Sequence, residues 1–310
     1  KKYANDRGIK IVGDIPIFVA HHSADVWSHP ELFSLDKNGR PKVVAGVPPD
    51  YFSETGQRWG NPLYRWDKME ADHFQWWVER FRRAFLLMNV VRLDHFRGFV
   101  GYWEIPASEK TAVKGRWVKG PKEKLFKTVQ RLLGDLPIIA EDLGVITPEV
   151  TSLRDQFEFP GMKVLQFAFA GNPDNPFLPH RYEHNSVVYT GTHDNDTTRG
   201  WFDSATEREK VLARRYCGSN DQTICDDLIR CASRSVADLA IFPFQDVLGL
   251  GSEARMNFPG KTLGNWDWRF AWDQVGQEHA LKMYDIAALS GRTVPDRLNL
   301  PAIPQGRRRS

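Results

Sequence analysis

The chain is short of cysteine, of long apolar runs and of net charge, and each shortage excludes something. Its 310 residues hold 3 cysteines, Cys217, Cys225 and Cys231, close together and without a CxxC pair. That is neither a zinc framework nor an even disulfide set, so reduced, buried or incidental thiols are expected. No stretch approaches the roughly 20 apolar residues that span a bilayer, and no signal peptide is visible, so no membrane partner is expected. Lys and Arg total 42 against 39 Asp and Glu, a formal net charge of +3, which indicates neither a nucleic-acid surface nor a polyanionic substrate. The run Arg307-Arg308-Arg309 is too short for a groove binder and reads as a solvated end. There is no internal repeat and no low-complexity segment.

Tryptophan is what the chain has in excess, with 11 residues. Trp59, Trp66, Trp266 and Trp268 sit beside Gly, Asn, Asp or Pro in loop-like sequence. Flat aromatic faces stack on the apolar faces of sugar rings, which makes carbohydrate one candidate ligand and core filling the other reading.

Four apolar runs end on acid: Ile11-Val12-Gly13-Asp14, Val90-Val91-Arg92-Leu93-Asp94, Ile138-Ile139-Ala140-Glu141-Asp142, and the segment from Val187-Val188-Tyr189 to His193-Asp194. Such Val/Ile runs read as strands covered on both faces, as in parallel sheets. Acids at their ends mark the C-terminal face where α/β barrels and open sheets carry their sites. Candidate strands fall at 9–17, 90–94, 136–141, 162–169, 186–190 and 239–244. Helices are expected over 1–6, 67–88 (with Phe74, Trp77, Phe81 and Phe85 at helical spacing), 121–133, from Thr147-Pro148-Glu149 onward, and over 206–216, 221–237 and 273–289. Segments 21–66, 99–121 and 249–272 read as loops. Alternating strands and helices imply parallel crossovers and an α/β layer fold. A single barrel of roughly 250 residues fits the length but needs eight strands, two more than the pattern supplies. Either two strands escape this pattern or two βα units are absent from the N-terminus. The abrupt start favours absence, so the expectation is an incomplete (β/α)8 barrel, 1–310, entered at its third strand, with a loop subdomain and substrate lid inserted over 18–66.

Asp94 and Glu141 end successive strands, so they would face one cup. Two carboxyls about 5 to 5.5 Å apart serve a retaining glycosidase, one as nucleophile and the other as acid and then base. Arg92 lies two positions before Asp94, on the same side of the strand, and a guanidinium there would keep that carboxylate ionised and oriented. Asp194, preceded by His193, offers a third acid that could bind sugar hydroxyls and stabilise an oxocarbenium-like transition state. The competing reading of a strand-end acid is a helix cap or an ion pair. His21, His22, His95 and His193 lie beside these acids and invite a metal-dependent hydrolase reading, but no HxH or HExxH motif accompanies them.

The sequence resembles glycoside hydrolase family 77, the 4-α-glucanotransferases or amylomaltases. The resemblance rests on Gly13-Asp14-Ile15-Pro16-Ile17, Ser23-Ala24-Asp25-Val26-Trp27, Pro48-Pro49-Asp50-Tyr51-Phe52-Ser53, Thr55-Gly56-Gln57, Trp59-Gly60-Asn61-Pro62-Leu63-Tyr64, Arg92-Leu93-Asp94-His95-Phe96-Arg97-Gly98, Ala140-Glu141-Asp142-Leu143-Gly144 and Gly191-Thr192-His193-Asp194-Asn195-Asp196-Thr197. It runs from the first residues to about Gly291. It implies a TIM barrel of the α-amylase clan, with Asp94 as nucleophile, Glu141 as acid/base and Asp194 as transition-state stabiliser. Arg92 and His193 would hold the sugar beside the bond being broken, with Asp14 nearby. Tyr51, Phe52, Gln57 and Trp59 match the loop that covers the site, and Phe167 and Asn265 match further glucan contacts. No metal or organic cofactor is implied. His21-His22 resembles the plant and cyanobacterial branch. Family members are considerably longer, which again implies that the first two barrel strands are absent.

The implied reaction is disproportionation of α-1,4-glucans and maltooligosaccharides, in the cytoplasm or, in a photosynthetic eukaryote, the plastid stroma. Carboxylates alone do not separate transfer from hydrolysis, since both pass through a covalent glycosyl-enzyme. An α-glucan hydrolase and an inactive or glucan-binding fragment therefore remain alternatives.

Overall fold

The computed structural model describes residues 1–49, 53–261 and 263–293. Its strands are β1 (Val12–Pro16), β2 (Val43–Val47), β3 (Gln57–Pro62), β4 (Val90–Asp94), β5 (Gly101–Pro106), β6 (Arg116–Lys119), β7 (Ile138–Ala140), β8 (Gly161–Val164), β9 (Ser186–Tyr189) and β10 (Leu239–Ile241). Six form one sheet in the order β1-β4-β7-β8-β9-β10, with parallel pairing from β1 through β8. This is the incomplete barrel sheet expected from the sequence. Residue contacts divide the chain into two units, 1–162 with 185–187, and 163–184 with 188 onward, the division falling inside β8 and β9.

The first unit is built around aromatic packing. The helix Gln75–Leu87 buries Trp77, Val78, Phe81 and Ala84, a stripe at three- and four-residue spacing. Trp77 meets Phe99 edge-on at 5.3 Å, and Phe99 meets Phe126 at 5.2 Å. Trp66, read from sequence as a loop residue, instead opens the helix Trp66–Ala71 and stacks on Trp77 at 6.2 Å. The single helix expected over 67–88 is two. His73 and Phe74 take left-handed φ of 57° and 56° between them, and the Asp72 carboxylate accepts from the Gln75 amide that begins the second helix. Burial of the Phe74 ring holds it in the core across this break, so the apolar spacing continues although the helix does not.

The segment 99–121, expected as a loop, contains β5 and β6. They complete a four-stranded antiparallel sheet in the order β3-β2-β5-β6, with Trp103 opposite Trp117 and their rings 5.2 Å apart. Part of 18–66 is therefore strand, paired with residues from beyond that segment. The sequence concealed this because β5 buries only Tyr102 and Ile105, a spacing of three that breaks strict alternation.

In the second unit the helices Thr198–Ser204, Glu207–Cys217 and Ile224–Ser233 contribute to a core that includes Leu165, Phe169, Phe202 and Leu228, while Ile286 of the helix Gln277–Leu289 packs in a separate cluster with Ile229 and Val247. Thr206 and Glu209 form a reciprocal capping box at the start of one helix, and Gly218 ends it at a left-handed φ of 65°. The strand expected over 162–169 stops at Val164 and tightens into a 3₁₀ turn, Leu165–Phe169. The strand expected over 239–244 stops at Ile241, because Pro243 has no N–H for a ladder, and the short helix Phe244–Val247 begins after it. The three cysteines are free thiols. No helix among the described residues is long and apolar enough to cross a membrane.

Candidate active site

In the first unit the parallel register sets Asp14 opposite Arg92 and Pro16 opposite Asp94. Arg92 is 8% exposed, and its Nη2 donates to Asp14 Oδ2 and Asp94 Oδ1, both at 2.9 Å. Burial alone would weaken its charge, but the two carboxylates more than compensate and hold the guanidinium protonated. The side-chain period of two predicted the Arg92–Asp94 pair; the bridge to Asp14 follows from the neighbouring strand.

Glu141 lies immediately beyond β7. Its Oε2 accepts from the His95 amide at 2.7 Å and its Oε1 from the Leu143 amide at 3.0 Å. His95 adopts a left-handed backbone, φ 51° and ψ 50°, at the residue after β4. That conformation costs a side-chain-bearing residue roughly 1–3 kcal/mol and is held here by the packing around it. Gly98 permits the turn, since a Cβ there would lie 2.7 Å from Ile17 Cδ1 and 3.0 Å from His95 Cδ2. The Glu141 carboxyl is pushed up to about 7, first by burial and then by the charge of Asp94, against opposing contributions from Arg92 and the two amides. A carboxylate paired with a guanidinium thus neighbours a carboxyl that keeps its proton near neutrality. Environments that separate two acids in this way assign them different chemical roles.

Gln57 and Trp59 lie on β3 rather than in a loop, joined by a Trp59 Nε1 to Gln57 Oε1 hydrogen bond of 3.0 Å. The half-exposed Trp59 indole stands edge-on to His95, centroids 4.8 Å apart, which puts it beside the residue that donates to Glu141. Burial, aided by Arg97, pushes the His95 imidazole down to about 3, so it is neutral. Tyr51 and Phe52 lie outside the described residues. Asp142, the other acid of its run, fits the structural reading: it pairs with Arg154 at 2.6 Å and accepts from the Met162 amide at 2.7 Å. His21 and His22 are exposed, with His21 Nε2 2.8 Å from the Gly39 carbonyl oxygen. No group of three or more His, Cys, Asp or Glu side chains among the described residues is placed to hold a metal ion.

In the second unit Asp194 lies in a loop after β9, which already ends at Tyr189. Asn257 Nδ2 donates to its Oδ1 at 2.6 Å, and Arg255 Nη2 donates to its backbone carbonyl at 2.8 Å. His193 Nε2 is 3.3 Å from Asp194 Oδ2, and the His193 ring lies 5.3 Å from Trp266. Phe167, on the 3₁₀ turn after β8, packs edge-on against Phe177 at 5.4 Å. The Asn265 amide closes its own loop, accepting from the Phe258 N–H and donating to the Lys261 carbonyl, each at 2.9 Å. Sequence reasoning missed Arg255 and Asn257. They fall in an aperiodic Gly/Asn/Trp loop, where no pattern marks them.

A parallel sheet thus carries, at the ends of neighbouring strands, an aspartate paired with a guanidinium and a glutamate whose carboxyl is pushed up, two acids in different environments on the face where such sheets carry their sites. The family model described as 4-alpha-glucanotransferase, glycoside hydrolase family 77, matches residues 1–274. The 4-alpha-glucanotransferase of Thermus thermophilus is 57% identical over 300 residues, covering 94% of this chain and 60% of that protein. The Synechocystis 4-alpha-glucanotransferase is 53% identical over 302 residues, 95% of this chain and 59% of that protein. The amylomaltase of Streptococcus agalactiae, solved in complex with acarbose, superposes with a TM-score of 0.92 at 39% identity over 95% of this chain and 60% of its own. The chain belongs to the 4-alpha-glucanotransferase family, and it spans about 60% of the length of these relatives.

Proposed function

We propose that the protein carrying this chain moves α-1,4-glucan segments between maltooligosaccharides by a retaining double displacement. Asp94 attacks the anomeric carbon while Glu141 gives its proton to the departing glycosidic oxygen, leaving a glycosyl ester on Asp94 and a shortened glucan. Glu141, now a carboxylate, takes the proton of an acceptor hydroxyl as that oxygen displaces Asp94, which regenerates both groups. No cofactor enters this scheme, because side chains carry every proton and charge.

The observation that carries the reading is the contrast between Asp94, bound to Arg92, and Glu141, whose carboxyl is pushed up to about 7. In the same reading Asp194 stabilises positive charge on the sugar, with His193, Arg92 and Asp14 binding its hydroxyls. Tyr51, Phe52, Gln57, Trp59, Phe167 and Asn265 contact the glucan. The aromatic groups favour a sugar acceptor over water by stacking on it. Support for the substrate class comes from the acarbose bound by the Streptococcus agalactiae amylomaltase. The reaction is assigned to the cytoplasm, or to the plastid stroma in a photosynthetic eukaryote.

The test is incubation of the full-length protein with maltotriose, read by chromatography. Transfer yields glucose together with a ladder of longer chains; glucose and maltose alone would reject it in favour of hydrolysis.

A further inference from the structure

Asp246 belongs to no part of this reading, yet it is fully buried, with 0% exposure. It sits on the short helix Phe244–Val247. Its Oδ2 accepts from Thr190 Oγ1 at 2.6 Å and from Thr198 Oγ1 at 2.7 Å, and its Oδ1 accepts from the Thr198 amide at 2.7 Å. Both threonines are also 0% exposed. Burying a carboxyl among neutral donors is costly unless its lone pairs are satisfied, and here three donors converge on it. Burial pushes its carboxyl up, while the threonine hydrogen bonds oppose that shift.

The position of the two threonines gives this cluster its meaning. Thr190 follows the last residue of β9, and Thr198 is the first residue of the helix Thr198–Ser204. Between them runs 191–197, the loop that carries His193 and Asp194. One carboxyl therefore grips both ends of that loop. The chain just beyond Asp246 grips its middle: Ser252 Oγ donates to Asp196 Oδ2 at 2.6 Å, and Arg255 and Asn257 hold Asp194 as described above. From the other side, Gln166 Nε2 donates to the Asp196 carbonyl at 2.9 Å. A loop bound at its ends and its middle has few ways to move its acid. That matters if Asp194 must meet developing charge, because an ångström of misplacement costs orders of magnitude in rate.

We propose that Asp246 is a positioning residue, which fixes the 191–197 loop through Thr190 and Thr198 and so places the Asp194 carboxylate. The inference rests on the functional reading of Asp194 given above. Its test uses the full-length protein and the variants Asp246→Asn, Thr190→Val and Thr190→Ser. Steady-state disproportionation kinetics are measured together with hydrogen exchange of the 191–198 amides and of the helix Ile224–Ser233.

Asp246→Asn and Thr190→Val should lower kcat by about 10- to 100-fold with KM held within about 3-fold, the signature of a lost transition-state interaction. Exchange should accelerate in 191–198 and stay slow in Ile224–Ser233. Thr190→Ser keeps the hydroxyl and should return kcat to within about 2-fold of the parent. The proposal is overturned by unchanged kcat and loop exchange in both disruptive variants. It is equally overturned by a Thr190→Ser enzyme as impaired as Thr190→Val, or by protection lost equally across Ile224–Ser233, which marks a merely structural role. A parent protein that transfers no glucan would reject the functional reading instead, and the exchange pattern would still decide whether Asp246 holds the loop.

Discussion

The two units hold their acids by different means. In the first, Asp94 ends a strand, and its orientation comes from a buried guanidinium shared with Asp14. In the second, Asp194 lies in a loop, its Oδ1 bound by the Asn257 amide and the loop ends held by the Thr190 and Thr198 hydroxyls, which donate to the Asp246 carboxylate. The contrast matches the tasks proposed for them. A nucleophile must stay ionised, and a charged partner favours that; a group that meets transient charge must above all be correctly placed, and the Asn257 amide together with the held loop ends fixes its position.

The sharpest way to break the comparison is Asp94→Asn, which keeps the shape and deletes the proposed nucleophile. Turnover should fall by at least about 10⁴-fold, the scale seen when a nucleophile is removed, as measured by glucose release from maltotriose. A smaller effect is expected from Asn257→Ala, which leaves Asp194 in place but frees its Oδ1. A loss of about 10- to 100-fold in kcat, with little change in KM, would fit a positioning contact, whereas a loss as large as that of Asp94→Asn would erase the distinction between the units.

Much of the first unit's site could be read from the sequence, because its logic is local. Val90 to Asp94 spells a buried strand, and period two places Arg92 beside Asp94. Glu141 was equally visible as the acid that ends Ile138-Ile139-Ala140. What escaped was tertiary. The left-handed turns at His73, Phe74 and His95 carry no Gly or Asn to announce them. The antiparallel sheet is hidden because its strands bury few side chains and pair with partners far along the chain, as β2 does with β5. The bracing of the Asp194 loop by Asp246, Arg255 and Asn257 joins residues 48 to 63 positions apart, and no periodicity connects a helix after Pro243 to a loop after β9.

The raised carboxyl of Glu141 also bears on stability. Its ordinary value is 4.5 and its folded value about 7, so the native state keeps a proton that the unfolded chain releases between those limits. Its contribution is therefore fully present below about pH 4.5 and is lost as the pH rises through about 7.

The same proton tests the central claim, that Asp94 and Glu141 are separated into nucleophile and proton donor by their surroundings. The decisive measurement is the pH dependence of kcat/KM for maltotriose disproportionation, with Glu141→Gln compared on an activated maltosyl fluoride donor that needs no acid to leave. The parent should lose activity on the alkaline side with an apparent pKa near 7, as the general acid deprotonates, and Glu141→Gln should use the fluoride with no such limb. An alkaline limb that persists in Glu141→Gln, or a parent whose activity is flat through neutrality, would contradict the assignment.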